Sequence, residues 1–269
     1  YSTVRENVLQ ARAQGLSLIA ITDHCYGAPD AGNDWHFGNM VIWPPDMEGV
    51  RVLRGVEANI MAMDGTLDTT VGDLMAVDYV IASLHAYCVA PRTLAAHTDA
   101  LLRVLENPFV HTIGHPADMK FPLDLRTVAR ACAQAGKRLE INEHAMARAP
   151  QVEAINERLL EACAQEGTQI VLSTDAHICY EVGRFPRTDA LLARTGFPES
   201  LIWNADAARV LVSEAGQRKG VLPGMRFALV LNKADDPARA ALAARVAAAV
   251  PDGAAEAVVC TSLRKGSEV

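Results

Sequence analysis

The sequence predicts an α/β fold built from parallel strands joined by helices. Three observations carry that prediction. Short apolar runs alternate with helical stretches along residues 1–212, and strands separated by helices pair in parallel. Helix starts and stops fall between the runs, at Thr3, Gly15, Asp124, Gly136 and Gly167. His and acidic residues stand at or just past the C-terminal ends of the runs, on the rim where parallel α/β barrels gather their site.

Each element has a local reason. Thr3-Val-Arg-Glu6 fits a capping box and opens a helix to about residue 14, where Gly15 is a suitable stop. Leu16 to Ile21 is a strand-like run leading into Thr22, Asp23 and His24. Residues 50–56 form the second run and end at Glu57. Tyr79 to Ser83 is the third and ends at Leu84 and His85. Val110 to Gly114 is the fourth, followed by His115-Pro116. Arg138 to Asn142 is the fifth, and Gln169 to Thr174 the sixth, followed by Asp175-Ala-His177. Helical patterns span about 93–106, 124–135 and 151–166.

Composition shifts near residue 213, and Ser213 to Gly220 with Pro223-Gly224 reads as a boundary. A strand at 226–231, a helix opened by Asp236-Pro237 and a strand near 256–261 are expected beyond it. A segment of roughly 55 residues is marginal alone, so 213–269 is expected to be an αβ appendage to a first domain at 1–212.

Composition narrows the function classes. The chain has 269 residues, half of them apolar, and a net charge of −7 without a basic stripe. A nucleic-acid backbone is therefore not an expected partner. No apolar run reaches membrane length, which argues against a spanning helix. Six Cys are scattered without a C-x-x-C; they read as free thiols of a reducing, cytoplasmic compartment.

The informative residues are His24, Glu57, His85, His115, Asp175 and His177. A single His at a strand end is more often a turn or surface residue than a ligand, and a single carboxylate there often caps a helix. Five runs with the same outcome are a different matter. Four imidazoles and two carboxylates converging on one mouth suit zinc, manganese or iron. Other residues are weaker candidates. His144 follows the fifth run and is expected to line the mouth as a substrate contact or substitute ligand; His36 has a smaller claim to the same place. Arg184 and Arg54 could neutralise a substrate phosphate. His97 is expected on a solvent-facing helix surface, and His111, at the start of a strand, on the helix-facing side or at the base of the barrel.

The pieces Ile21-Thr-Asp-His24, Arg54-Gly-Val-Glu57-Ala-Asn59, Ser83-Leu-His85, Gly114-His-Pro116, Leu139-Glu-Ile-Asn142 and Ser173-Thr-Asp-Ala-His177 resemble the PHP (polymerase and histidinol phosphatase) family. Trp35-His-Phe37 with Trp43-Pro44 is similar to its bacterial stand-alone phosphatase subgroup. The resemblance covers about residues 1–212. It implies a distorted (β/α)7 barrel with up to three metal ions that hydrolyses small phosphomonoesters through a metal-activated water. It implies that Glu57 bridges two metals, that His85 and His115 complete the second, that Asp175 binds the first, and that His24 and His177 hold the third. Glu57 and Asp175 would thus be the catalytic carboxylates.

One departure has consequences. The family opens with a strand carrying a His-x-His pair, and no His precedes His24 here. The barrel is therefore expected to lack its first strand, to bind metal poorly at two positions and to hydrolyse slowly. Strands Leu18–Ile21 and Ile170–Ser173 would flank the gap, and association of two copies across it, giving a homo-oligomer, is a further expectation.

The tail supports a rival reading. Phe227 to Leu231 leads into Asn232-Lys-Ala-Asp235, which looks like the guanine-reading motif of P-loop GTPases, although no phosphate-binding G-x-x-x-x-G-K-[ST] loop is present. Residues from Gly216 to Leu263 are similar to the end of an accessory-protein family linked to selenium-dependent molybdenum hydroxylases. That resemblance implies a maturation protein with a nucleotide-binding tail and a non-catalytic metal-binding barrel. A third reading is a metal hydrolase of the amidohydrolase type, against which the Glu bridge and the His-Pro after the fourth run both argue.

Overall fold

The first helix, α1 (Val4–Ala13), begins where its capping box places it: Thr3 Oγ1 accepts the Glu6 N–H at 3.3 Å and Glu6 Oε2 accepts the Thr3 N–H at 2.7 Å. A computed structural model of the chain describes residues 2–211 and, as backbone, two strands at 227–232 and 255–261. In chain order, α1 is followed by β1 (Leu18–His24), α2 (His36–Asn39), β2 (Asp46–Met47), β3 (Val50–Asn59), α3 (Val71–Ala76) and β4 (Tyr79–Ser83). Then come α4 (Leu94–Val104), β5 (Thr112–Ile113), α5 (Leu125–Ala135), β6 (Arg138–Asn142), α6 (Glu143–Arg148), α7 (Gln151–Glu166), β7 (Ile170–Ser173) and α8 (Pro186–Thr195).

The sheet runs β1-β3-β4-β5-β6-β7, all parallel, with β2 added antiparallel to β3. Every residue of β4 and β6 is buried, as expected for parallel strands covered on both faces. The core joins Val56, Val80, Ile113, Leu139 and Ile141 of the strands to Leu101, Val128, Leu159 and Leu160 of the helices. Each such side chain contributes roughly 1.5–3 kcal/mol by leaving water.

β1 and β7 lie at opposite ends of the strand order, yet the rings of His24 and His177, which follow from them, are 6.2 Å apart. The sheet therefore curls back on itself. The two flanking strands do not pair with each other; β7 instead meets Ile202 through a parallel bridge. Helix α1 covers this side. Val8 and Ala11 are buried with Ile21, Val50, Val52 and Val182, and the Cys179 N–H donates to Ser2 Oγ at 2.8 Å.

Two elements differ from the sequence reading. β3 runs three residues past 56, because its ladder with β4 continues through Glu57↔Ile81 and Asn59↔Ser83. β5 is confined to Thr112–Ile113, because the Val110 N–H turns back onto Asn107 O at 3.2 Å. The helix stop at Gly136 has the expected left-handed backbone, φ 65°. Short pieces such as α2, α3 and α6 had no usable periodicity.

The base of the barrel holds a ladder of flat groups. Tyr79 stacks between His111 (5.0 Å) and Trp203 (5.6 Å), and the Arg138 guanidinium lies 4.0 Å over the Trp203 ring. His111 thus sits at the base, its Nδ1 accepting the Val80 N–H at 3.0 Å. Arg138 is buried, and its Nε and Nη1 have no hydrogen-bond partner. A desolvated cation without a counter-charge is costly, and its contact with the Trp face offsets only part of that cost. Arg138→Met is therefore expected to raise stability by about 1–4 kcal/mol, the range seen when buried charged groups become apolar. A urea midpoint below that of the unaltered chain would contradict this.

The chain divides into two compact units, Tyr1–Trp203 and Asn204–Val269. In the second, β8 (Phe227–Asn232) and β9 (Ala255–Thr261) form a parallel pair. The helix expected from 236 and most of the Asn232–Asp235 motif lie outside the described residues. Among the described residues no helix is long and apolar enough to cross a membrane.

Candidate metal centre

Parallel pairing fixes where the strand ends meet. Register matches His24 on β1 to Glu57 on β3, and His85 and His115 leave the ends of the next two strands. Glu57, buried, is the hub. Its carboxylate lies 3.4 Å from His24 Nε2, 3.5 Å from His85 Nε2 and 3.2 Å from His115 Nε2. One ligand atom each from His24, Glu57 and His85 fall within 4.8 Å of one another, and His115 Nε2 is 3.0 Å from His85 Nε2.

The rings are turned for a cation. His24 Nδ1 is 2.9 Å from Asp30 Oδ1; a carboxylate only accepts, so Nδ1 carries a proton and Nε2 is the nitrogen turned to Glu57. His85 is held likewise. Asn59 Nδ2 donates to Asp68 Oδ2 (2.6 Å) and to Cys25 O (3.2 Å), which leaves Asn59 Oδ1 to accept the His85 Nδ1–H at 2.7 Å. An outer partner on Nδ1 is the usual support of a metal-binding imidazole.

The charges agree. Burial alone would raise the Glu57 carboxyl, but the His115 hydrogen bond and charge outweigh it and hold Glu57 below the usual carboxylate range. Burial disfavours the charged form of His115, yet its hydrogen bond to Glu57 and that carboxylate's charge carry it above the usual imidazole range. Burial and the His115 charge push His85 down to about 4. His115 Nε2, 3.2 Å from Glu57 Oε1 and 3.0 Å from His85 Nε2, stands where two imidazoles and a carboxylate converge, a donor set that suits a divalent cation. Two imidazoles on a shared carboxylate fit zinc, manganese or iron by donor type.

Asp175 and His177 lie beyond β7. The Asn142 Nδ2 donates to Asp175 Oδ2 at 3.2 Å, and His177 Nδ1 is 3.0 Å from Asp175 O. His144, at the start of α6, stacks on His177 at 4.9 Å, with Nδ1 4.0 Å from Glu181. His115 and Asp175 have φ of 26° and 48°, and among the described residues Glu48 is the other non-glycine with positive φ. Such backbone costs of order 1–3 kcal/mol and gathers at functional sites. At His115 it is held by its N–H on Glu140 Oε2 at 2.5 Å, and Glu140 in turn accepts Ser173 Oγ–H at 2.5 Å.

Other candidates fall elsewhere. Arg184 is exposed on the loop after β7, and among the described residues no ion pair ties it to the cluster. Arg54 is held by Asp78, through Nε at 3.0 Å and Nη2 at 2.8 Å. His36 pairs with Asp23 at 2.8 Å. His97 is fully buried, contrary to its expected solvent-facing place; it accepts the Arg92 N–H at Nε2 and donates from Nδ1 to Pro122 O. An amphipathic pattern does not distinguish a satisfied core His from a surface one.

Asn59, Asp68, Asp30 and Glu140 are the supporting residues the sequence reading left without a role. Asn59 was reachable, since it lies two residues past Glu57 on the same strand face. Asp30 and Asp68 come from loops that carry no periodic signal. Asn59→Ala is expected to weaken metal binding by roughly 10–100-fold, measured by competition with a chromogenic chelator; unchanged affinity would remove Asn59 from the site.

Fold and site together define a parallel α/β protein whose strand ends carry a carboxylate–imidazole centre suited to a divalent metal. No family model matches the chain. A probable phosphatase of Acetivibrio thermocellus is 40% identical over 209 residues, which is 78% of this chain and 87% of that protein. A probable phosphatase of Edwardsiella ictaluri is 39% identical over 221 residues, 82% and 89% of the two chains. The chain belongs to this family of bacterial probable phosphatases. Among solved structures, histidinol phosphate phosphatase of Lactococcus lactis, in complex with zinc, L-histidinol and phosphate, superposes with a TM-score of 0.51 at 20% identity. It covers 73% of this chain and 89% of its own, and shows the likeness of fold.

Proposed function

We propose that the chain is a PHP-type, metal-dependent phosphatase that hydrolyses small phosphomonoesters. The observation that carries this is Glu57 facing three imidazole Nε2 atoms at 3.2–3.5 Å, in a chain whose relatives are probable phosphatases. Glu57, His85 and His115 form the fullest donor set; Glu57 with Asp175, and His24 with His177, supply two side chains each for further ions. Zinc, manganese or iron held by these side chains would neutralise phosphate oxygens and lower the pKa of a coordinated water. The protein does the rest. Asp30 and Asn59 hold His24 and His85 in one tautomer. Glu140 holds the His115 backbone through its N–H, and Asn142 orients the Asp175 carboxylate. His144 lines the mouth beside His177, and Arg184, on the following loop, is the candidate cation for the ester's phosphate.

The experiment is phosphate release from a panel of phosphomonoesters by the full chain supplied with zinc or manganese, with and without chelator. Chelator-sensitive release supports the reading. Release that ignores the chelator, or hydrolysis of amides or lactones alone, contradicts it.

A further inference from the structure

We propose that Tyr87 selects the alcohol part of the ester, favouring alcohols that carry a flat aromatic ring within one or two bonds of the ester oxygen. This rests on the phosphatase reading of the site.

The chain turns sharply after His85: the N–H groups of Cys88 and Val89 both donate to His85 O at 3.0 Å. That turn folds the Tyr87 ring back over the imidazole two residues earlier. The rings stack with centroids 4.8 Å apart and 11° between planes. Tyr87 also meets the His24 ring edge-on at 6.5 Å. The tyrosine thus stacks on one candidate ligand and meets a second edge-on.

It is nevertheless 48% exposed. A large ring left half in water beside a polar centre is poorly explained by core packing, since one face already has its partner. Other exposed apolar side chains stand at the same end of the sheet, on the loops that follow β5 and β7. Met119 comes four residues after His115, and Ile178 follows directly on His177. A phosphate bound at the cluster projects its alcohol outward past this wall. A compact polar alcohol gains nothing there. An aromatic one stacks or packs edge-on against Tyr87, and such contacts are worth roughly 2- to 12-fold in affinity.

The test compares benzyl phosphate with ethyl phosphate on the metal-loaded full chain, because both leaving groups are simple alkoxides of similar basicity. The unaltered chain is expected to prefer benzyl phosphate in kcat/KM. In Tyr87→Ala the benzyl-to-ethyl ratio should fall by roughly 2- to 12-fold, while Tyr87→Phe should keep it. A ratio unchanged in Tyr87→Ala, with both esters slowed alike, would show that Tyr87 merely supports His85. Equal turnover of the two esters by the unaltered chain also overturns the proposal. No turnover of either ester removes the phosphatase reading and this inference with it.

Discussion

Replacing Glu57 by Gln is expected to lower kcat/KM for phosphomonoesters by roughly 10³-fold or more, equal to at least about 4 kcal/mol of transition-state stabilisation. The substitution keeps the shape and removes one charge. Glu57 is the group that His24, His85 and His115 all face, and its ionised form is what carries the His115 charge up. An amide would turn an N–H toward imidazole lone pairs, or its oxygen toward one ring only. The fold should survive, since Gln fills nearly the same volume as Glu and leaves the surrounding core unchanged. Circular dichroism checks that, and phosphate release reads the loss. A Glu57→Gln protein with near-normal turnover would place the chemistry elsewhere.

The second large effect is steric. Gly114 precedes His115, and a Cβ there would meet Ser83 Oγ and come within 2.8 Å of Ile81 Cγ2. Both neighbours are buried on β4. Gly114→Ala is expected to destabilise by about 1–3 kcal/mol, the cost of overpacking a filled interior. It should also move His115 off Glu57, so metal binding should fall more than the stability loss explains. Denaturant unfolding and chelator competition on the same sample separate the two. An Ala variant with normal stability and normal metal affinity would show that this contact relaxes freely.

Much of this was legible in the residues. Apolar runs ending in His or a carboxylate imply parallel strands with a shared rim, because strand direction alone sends those ends to one side. His24, Glu57 and His85 needed nothing more than that. What sets their geometry was less legible. Asn59 and Glu140 read as strand residues like any others, although each holds a histidine of the cluster in place. Asp30 reaches His24 from a loop whose path depends on tertiary packing. His97 shows the reverse error, since its burial comes from the turn at Arg92 and the loop at Pro122. Tyr87 has no motif; the turn after His85 gives it its position.

The central claim is that the strand-end cluster holds divalent metal. Elemental mass spectrometry on the full chain, purified without chelator, tests it directly, beside Glu57→Gln prepared identically. The account predicts at least one equivalent of zinc, manganese or iron in the unaltered chain, seated at Glu57, His85 and His115, and its loss in the variant. Less than one equivalent in the unaltered chain after incubation with excess metal, or equal content in the two proteins, would contradict it.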